Sequence, residues 1–170
     1  MRHEASDSDA IPRLTRITLG YSLGQDRVRL DGADDAGKTL TFWLTARLLS
    51  QLVPHLIERQ ADMQFSAQTL DSAITDEAGS SDDEANVQCL PGSPEILVAS
   101  IDVTRRANQL LLLFKDSEDA QRAVFAMQYA TLQQWNAGLK QCYEQAGWSQ
   151  SVFQPQTPSG AASHGAITIH

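Results

Sequence analysis

The stretch DGADDAGKTLTFWL, residues 31–44, decides how the first third of the chain folds. The eight residues from Gly32 to Thr39 match G-x-x-x-x-G-K-[ST], the loop that holds phosphate groups in nucleoside triphosphatases. In that setting a helix begins at the Lys-Thr pair, because its free amide groups bind the phosphates. Here residues 39–44 alternate instead, with Leu40, Phe42 and Leu44 on one side, which predicts a strand. We therefore expect a β-hairpin rather than a phosphate-binding loop.

Charge gives a second reason to prefer the hairpin. Asp34 and Asp35 stand where a triphosphate would lie, and a carboxylate about 4 Å from a phosphate charge costs roughly 4 kcal/mol at an intermediate dielectric. One feature favours a nucleotide, since the apolar run 96–101 ends in Asp102 as a magnesium-binding strand would. A nucleotide-binding enzyme that uses residues 32–39 is therefore kept as the competing hypothesis.

Periodicity around this stretch predicts three strands followed by a helix. Residues 14–22 and 27–31 alternate like the strand at 39–44, and a turn at 23–26 separates the first two. At Thr45, a plausible N-cap, the period changes to 3.6. Pro54 should kink this helix or begin a second one.

The second half of the chain has a similar pattern. Residues 96–104 are typical of a strand, and residues 109–115 are apolar on both sides, as in a covered central strand. Residues 123–129 suit either a strand or a helix. A helix follows over 131–148, with Gly147 as its stop and Trp148 folding back on the last turn.

Shifting the sequence by 83 residues aligns apolar positions of the two halves, such as Phe42 with Phe125 and Leu49 with Leu132. This echo favours a strand at 123–129 and predicts an internal repeat. The expected fold class is α+β, an antiparallel sheet built from two βββα pseudo-repeats with the helices packed on one face. The expected organisation is a disordered tail at 1–13, units at 14–70 and 95–148, an acidic Pro/Gly/Ser linker at 71–94, and a disordered tail at 149–170.

The net charge of −8 belongs to the linker and the N-terminal tail. Outside those segments acids and bases balance, so nothing predicts the basic stripe that nucleic acid requires. The first ten residues have no apolar stretch, and the longest apolar run is residues 110–114, so we expect neither a signal peptide nor a membrane span. We therefore expect a cytoplasmic protein that contacts neither nucleic acid nor membrane. The linker acids are Asp71, Asp76, Glu77, Asp82, Asp83 and Glu84.

The sequence contains no pattern typical of a catalytic, metal-binding or cofactor-binding site. His55 is expected at the surface of a helix, and Cys142 on the apolar face of the last helix as a core residue. Cys89 and Cys142 have no metal-ligand spacing, and we expect reduced thiols, although one disulfide between them stays possible. No catalytic residue, metal ligand or cofactor is predicted.

Surplus apolar residues point to an interface. If the helices cover one face of the sheet, Trp43, Leu111 and Leu113 are left on the other, where an apolar patch usually marks a contact surface. A second sheet or the linker could equally cover them. We expect a non-enzymatic protein-binding module, an adaptor or chaperone, that forms a homodimer. A small-molecule binder with its pocket between sheet and helices is a further alternative.

Overall fold

A computed structural model describes residues 10–70, 86–154 and 165–170, without the side chains of 65–70. These residues form one eight-stranded sheet, two α-helices and one short 3₁₀ helix, Gln150–Phe153. The helices are α1 (Ala46–Leu70) and α2 (Tyr129–Ala146). The strands are β1 (Arg13–Ser22), β2 (Arg27–Asp34), β3 (Thr39–Leu44), β4 (Glu95–Leu97), β5 (Ser100–Arg106), β6 (Gln109–Lys115), β7 (Gln121–Met127) and β8 (Ile167–Ile169).

The α+β class is confirmed, but the expectation of a purely antiparallel sheet is wrong. The strand order is β4-β3-β2-β1-β7-β6-β5-β8, and two neighbouring pairs, β1 with β7 and β3 with β4, are parallel. Both parallel pairs join strands from different halves of the chain. Alternation in the sequence specifies which side chains face the core, but it does not specify which strand lies beside which. It could therefore not predict these two parallel pairs.

The two parallel pairs begin with similar hydrogen bonds. The Val124 N–H donates to the Pro12 carbonyl oxygen at 2.9 Å, and the Thr41 N–H donates to the Pro94 carbonyl oxygen, also at 2.9 Å. Each proline stands just before the strand that enters the other half. Proline suits this position because a strand end does not need its missing N–H.

The sheet curls so that one stretch of chain supplies strands near both of its ends, β4 at one end and β5 next to β8 at the other. Residues 95–97 pair with β3, and residues 100–106 pair with β6. Between them the Val98 N–H donates to Trp43 and the Ala99 N–H donates to Lys115, both at backbone oxygens. The rings of Phe42 and Phe114, on strands far apart in the sheet order, stack inside with centroids 5.1 Å apart.

Helix boundaries agree with the local signals. The Thr45 hydroxyl accepts the Leu48 N–H at 3.2 Å, and Pro54 lies inside α1, which does not restart there. Gly147 ends α2 at φ 68°, and the ring of Trp148 packs edge-on against Tyr143. The expectations for the N-cap and the glycine stop are therefore confirmed. None of the helices in the described ranges combines the length and apolar character that a membrane span needs.

Several predicted boundaries change. The expected single strand at 96–104 is divided into β4 and β5. Of the ambiguous 123–129 stretch, residues 123–127 belong to the strand β7, Gln128 is the N-cap of α2 and Tyr129 begins that helix. Of the expected linker 71–94, residues 71–85 lie outside the described ranges, as do residues 1–9 of the first tail.

The expected tail at 149–170 is wrong in part. It contains the 3₁₀ helix and β8, while residues 155–164 lie outside the described ranges. The three-residue β8 is held by its pairing with β5 and by burial of Ile169, which is only 5% exposed, and a segment this short carries no periodic signal.

Candidate functional site

The phosphate-loop-like stretch forms a tight β-hairpin. The Asp34 N–H donates to the Lys38 carbonyl oxygen at 3.0 Å, and the Asp34 carboxylate accepts the Lys38 N–H at 2.8 Å. Beyond Lys38 the backbone is the strand β3, in antiparallel register with β2. No helix N-terminus adjoins this loop, so the setting in which the motif binds phosphate is not present at residues 32–44.

Both glycines of the motif have another physical role. A Cβ atom at Gly32 would lie 2.8 Å from Cδ1 of Leu14, so the glycine makes room for a core side chain. Gly37 has φ 79°, the left-handed conformation that favours glycine at this turn. The two glycines of the motif are therefore explained by core packing and by the turn of a hairpin.

The predicted interface residues Leu111 and Leu113 lie on the outer face of the sheet, which we define as the side opposite the buried core. Cross-strand register places Leu111 beside Ala126 and Leu113 beside Val124. All four side chains are partly exposed, while the alternate residues of both strands that face inward are fully or almost fully buried. We call these four residues the β6–β7 patch.

Polar side chains border the β6–β7 patch on both sides. One row runs across four strands in register, from Arg13 on β1 through Val124 and Leu113 to Asp102 on β5. Arg13 is exposed, and Asp102 forms an ion pair with Lys115 at 2.8 Å. The patch thus has an apolar centre with a positive residue on one flank and a negative residue on the other.

The structure places Trp43 in different surroundings. It lies on β3, beside Arg29 on β2 and Leu97 on β4. Its indole N–H donates to Glu95 at 3.0 Å, and the guanidinium carbon of Arg29 lies 5.8 Å from the ring centroid. Leu97 is 48% exposed, whereas Trp43 is half-buried. In the sheet order β2, β1 and β7 separate β3 from β6, so Trp43 does not join the β6–β7 patch.

A polar cluster that the sequence did not reveal fastens residues 86–94 to the outer face of the first three strands. The Asp31 carboxylate accepts the Thr41 hydroxyl at 2.6 Å, the Arg29 Nε–H at 2.9 Å and the Cys89 thiol at 3.3 Å. The Val87 N–H also donates to the Thr18 hydroxyl at 2.8 Å. Alternation in the sequence indicates which residues of β1 to β3 point outward. Only the folded structure shows that Cys89 lies against those residues.

This cluster does not favour nucleophilic chemistry at Cys89. Partial burial raises the pKa of the thiol, and the hydrogen bond to Asp31 raises it further, which outweighs the opposite effect of the Thr41 hydroxyl. The thiol is therefore held protonated as a donor, whereas a reactive cysteine needs a lowered pKa. This cluster positions residues 86–94 against the sheet, so its role is structural.

A second polar cluster attaches β8. The Asp102 carboxylate accepts the Thr168 hydroxyl at 2.6 Å and pairs with Lys115, which also pairs with Asp119 at 3.2 Å. Burial acts to raise the pKa of Asp102, but the hydrogen bonds from Lys115 and Thr168 and the nearby positive charges outweigh it and lower the pKa. Asp102 thus faces β8 and Lys115, an arrangement that differs from the free strand-end carboxylate expected of a magnesium ligand.

Other candidate side chains lie apart from each other. His55 lies on α1 with its Nδ1 4.0 Å from Glu58, and Cys142 is buried in the core, where burial raises the pKa of its thiol. Cys89 and Cys142 are both free thiols, so the possible disulfide is not formed. Within the described part of the chain, histidine, cysteine and carboxylate side chains do not gather in groups of three that could hold a metal ion.

Comparison of the chain with protein-family models, with curated proteins and with solved structures finds no match.

Proposed function

We propose that the protein is a non-enzymatic, cytoplasmic protein-binding module that forms a homodimer through the β6–β7 patch. The observation that carries the proposal is the partly exposed apolar surface of Leu111, Leu113, Val124 and Ala126 behind a buried inner face. In sheets with one covered face, the other face is usually polar. An apolar outer face is favourable when another protein covers it.

The flanking charges support a second copy as the partner. The row Arg13–Val124–Leu113–Asp102 is self-complementary about a two-fold axis that runs parallel to the strands between Val124 and Leu113. Such an axis brings Arg13 of one copy towards Asp102 of the other. This is the isologous contact of a two-fold dimer, with an apolar centre and a polar rim.

Trp43 is proposed as a second contact region, supported by the exposed Leu97 beside it and by Arg29 against its ring. Tryptophan and arginine are over-represented among the residues that dominate interface energies. Because this region is separate from the β6–β7 patch, it suits a heterologous protein partner of the homodimer.

The architecture behind these surfaces is inferred to be a duplicated βββα unit, with both helices on the concave side of the sheet. The similar hydrogen bonds at Pro12 and Pro94 support the duplication. Contacts of α2 with the core-facing side of the sheet, such as the stacking of Trp135 on Phe125, support the placement of that helix. Two free thiols are consistent with the proposed reducing compartment.

The proposal is tested by the mass of the protein in solution, measured by light scattering. We expect the wild type to be a dimer and Leu111→Lys to shift it to a monomer, because a charge would be buried at the apolar centre. Leu23→Lys is the matched control, since it makes the same chemical change at a side chain that is 83% exposed in a turn far from β6.

Two outcomes decide the test. A wild-type monomer at high micromolar concentration would contradict the homodimer. A Leu111→Lys variant that stays dimeric with an unchanged melting temperature would show that the dimer contact does not lie at the β6–β7 patch. A charge change at the rim leaves the apolar centre untouched: Arg13→Glu should weaken the dimer, because it brings a carboxylate towards Asp102 of the other copy.

A further inference from the structure

The C-terminal strand shows how a strand is added to this sheet. β8 pairs antiparallel with β5 on the side opposite β6, with Ile167 beside Val103 and Ile169 beside Ile101. Its isoleucines face the core, and β8 also contacts α1. An alternating Ile-Thr-Ile segment therefore fills the space between an otherwise unpaired strand edge and a helix.

β1 has a comparable edge. Along β2 it is paired from Leu14 to Ser22, but on its other side it pairs with β7 only at Arg13 and Leu14. From Arg16 to Ser22 that second edge has no strand beside it among the residues that the structure describes. An unpaired edge offers a row of backbone donors and acceptors to an incoming strand.

A groove lies along this edge. It has a volume of about 240 Å³ and runs between β1 and α2, as β8 runs between β5 and α1. Gly138 allows α2 to pack closely on β1 beside the groove, since a Cβ there would lie 3.2 Å from Leu19 Cδ1. Its lining includes Ile17, Thr18 and Leu19 on β1, Gln134 and Trp135 on α2, and Asn86.

One residue that lines the groove has a hydrogen-bond donor without a partner among the described residues. Trp135 is 2% exposed, and its indole N–H is bonded to nothing within the described ranges. A buried donor in this state is unfavourable.

We propose that the groove between β1 and α2 binds an extended segment of a partner protein, which adds to the free edge of β1 as an extra strand. The segment alternates branched aliphatic residues with Ser or Thr, as Ile167, Thr168 and Ile169 do on β5. Its aliphatic side chains lie inward beside Ile17 and Leu19, and its hydroxyl lies outward beside Thr18. The inference rests on the proposed protein-binding function and names the chemistry of the partner.

The chain itself contains a competing segment. The tripeptide Ala-Ile-Thr occurs at residues 166–168, where β8 begins, and again at residues 73–75. The second copy falls outside the described ranges and precedes Asn86, which lines the groove. The experiment must therefore separate a partner segment from this internal one.

The test is an NMR titration of the full chain with a capped peptide of sequence GAITIH, the sequence of residues 165–170. We expect shifts at the Trp135 indole N–H and at the amides of Ile17, Thr18 and Leu19. A peptide of the same composition with its alternation removed, GATIIH, should bind more weakly.

Gln134→Phe and Gln133→Phe form a matched pair of variants. Both glutamines are exposed neighbours on α2, but only Gln134 lines the groove. Gln134→Phe should weaken peptide binding by at least about tenfold, a loss of about 1.4 kcal/mol, while Gln133→Phe leaves it unchanged. Equal effects of the two substitutions would overturn the assignment.

A third variant, Ile74→Asp, separates the two occupants. Binding of the peptide to both the wild type and Ile74→Asp supports a partner segment. Binding to Ile74→Asp alone would assign the groove to the internal segment, and binding to neither would overturn the site altogether. None of these outcomes depends on the mass of the protein, so failure here and failure of the homodimer are distinguishable.

Discussion

Lys38 shows how the role of a residue depends on the backbone beside it. In a phosphate-binding loop its side chain would face a triphosphate, but here its N–H and carbonyl group close a hairpin with Asp34. We predict that ATP or GTP with magnesium leaves the melting temperature of the wild type unchanged, and that Lys38→Ala behaves identically. A nucleotide-dependent rise in the wild type that Lys38→Ala abolishes would support the competing enzyme hypothesis.

Cys89 is a residue whose reactivity tests the polar cluster directly. Burial first, and then Asp31, raises the pKa of its thiol, so little thiolate is present at pH 8. Asp31→Asn removes the negative charge and should increase the rate of alkylation of Cys89 at pH 8, read by mass spectrometry of the labelled peptide. Cys142, which is buried, serves as the internal control. An unchanged rate would show that Asp31 does not hold the thiol.

Acid stability tests the attachment of Asp102 to β8. The folded pKa of Asp102 lies below its ordinary value, so the stability that this carboxylate contributes is present above about pH 4 and is lost as the pH falls through the folded pKa. Asp102→Asn should therefore lower the melting temperature at pH 6 and flatten its decline between about pH 4 and pH 2. Glu118→Gln, an exposed loop substitution, should leave the profile unchanged. A wild-type slope retained in Asp102→Asn would contradict this attachment.

At the scale of elements, the sequence predicts most strands and both helices because each has its own period. β1 to β3 alternate, β6 is apolar on both sides, and α1 and α2 follow a period of 3.6, while caps at Thr45 and Gly147 mark helix ends. β7 is ambiguous by period and is predicted as a strand only through its match to the first half. β8 and the division between β4 and β5 are not predictable in this way. β8 is held by hydrogen bonds to β5, and the division between β4 and β5 is set by backbone hydrogen bonds to β3 and β6. These partner strands are distant in the sequence.

The candidate surfaces were predictable to a similar extent. Apolar residues on both sides of β6 indicate that Leu111 and Leu113 face outward, and the structure places them there. The sequence could not show that Trp43 lies in a separate region, nor that Val124, Ala126, Arg13 and Asp102 complete the surroundings of the patch. Those facts depend on strand order and register, which local patterns leave undetermined.

At the scale of the whole molecule, closure of the sheet is the feature that unites the two halves. Phe42 and Phe114 stack across the interior. In a double-mutant cycle with Phe42→Leu and Phe114→Leu, we expect a coupling of about 0.5–1.5 kcal/mol in the free energy of unfolding. Phe153→Leu, at a ring that packs on Tyr143, should be additive with Phe42→Leu. Additivity of Phe42 with Phe114 would mean that the ends of the sheet are not joined.

The proposed homodimer through the β6–β7 patch requires contacts between the two copies that can be observed in solution. The measurement is an isotope-filtered NOE experiment on a mixture of labelled and unlabelled chains. We expect intermolecular NOEs between the methyl groups of Val124 on one copy and Leu113 on the other. Absence of these NOEs at a concentration where the chain sediments as a monomer, or intermolecular NOEs from another surface alone, would contradict it.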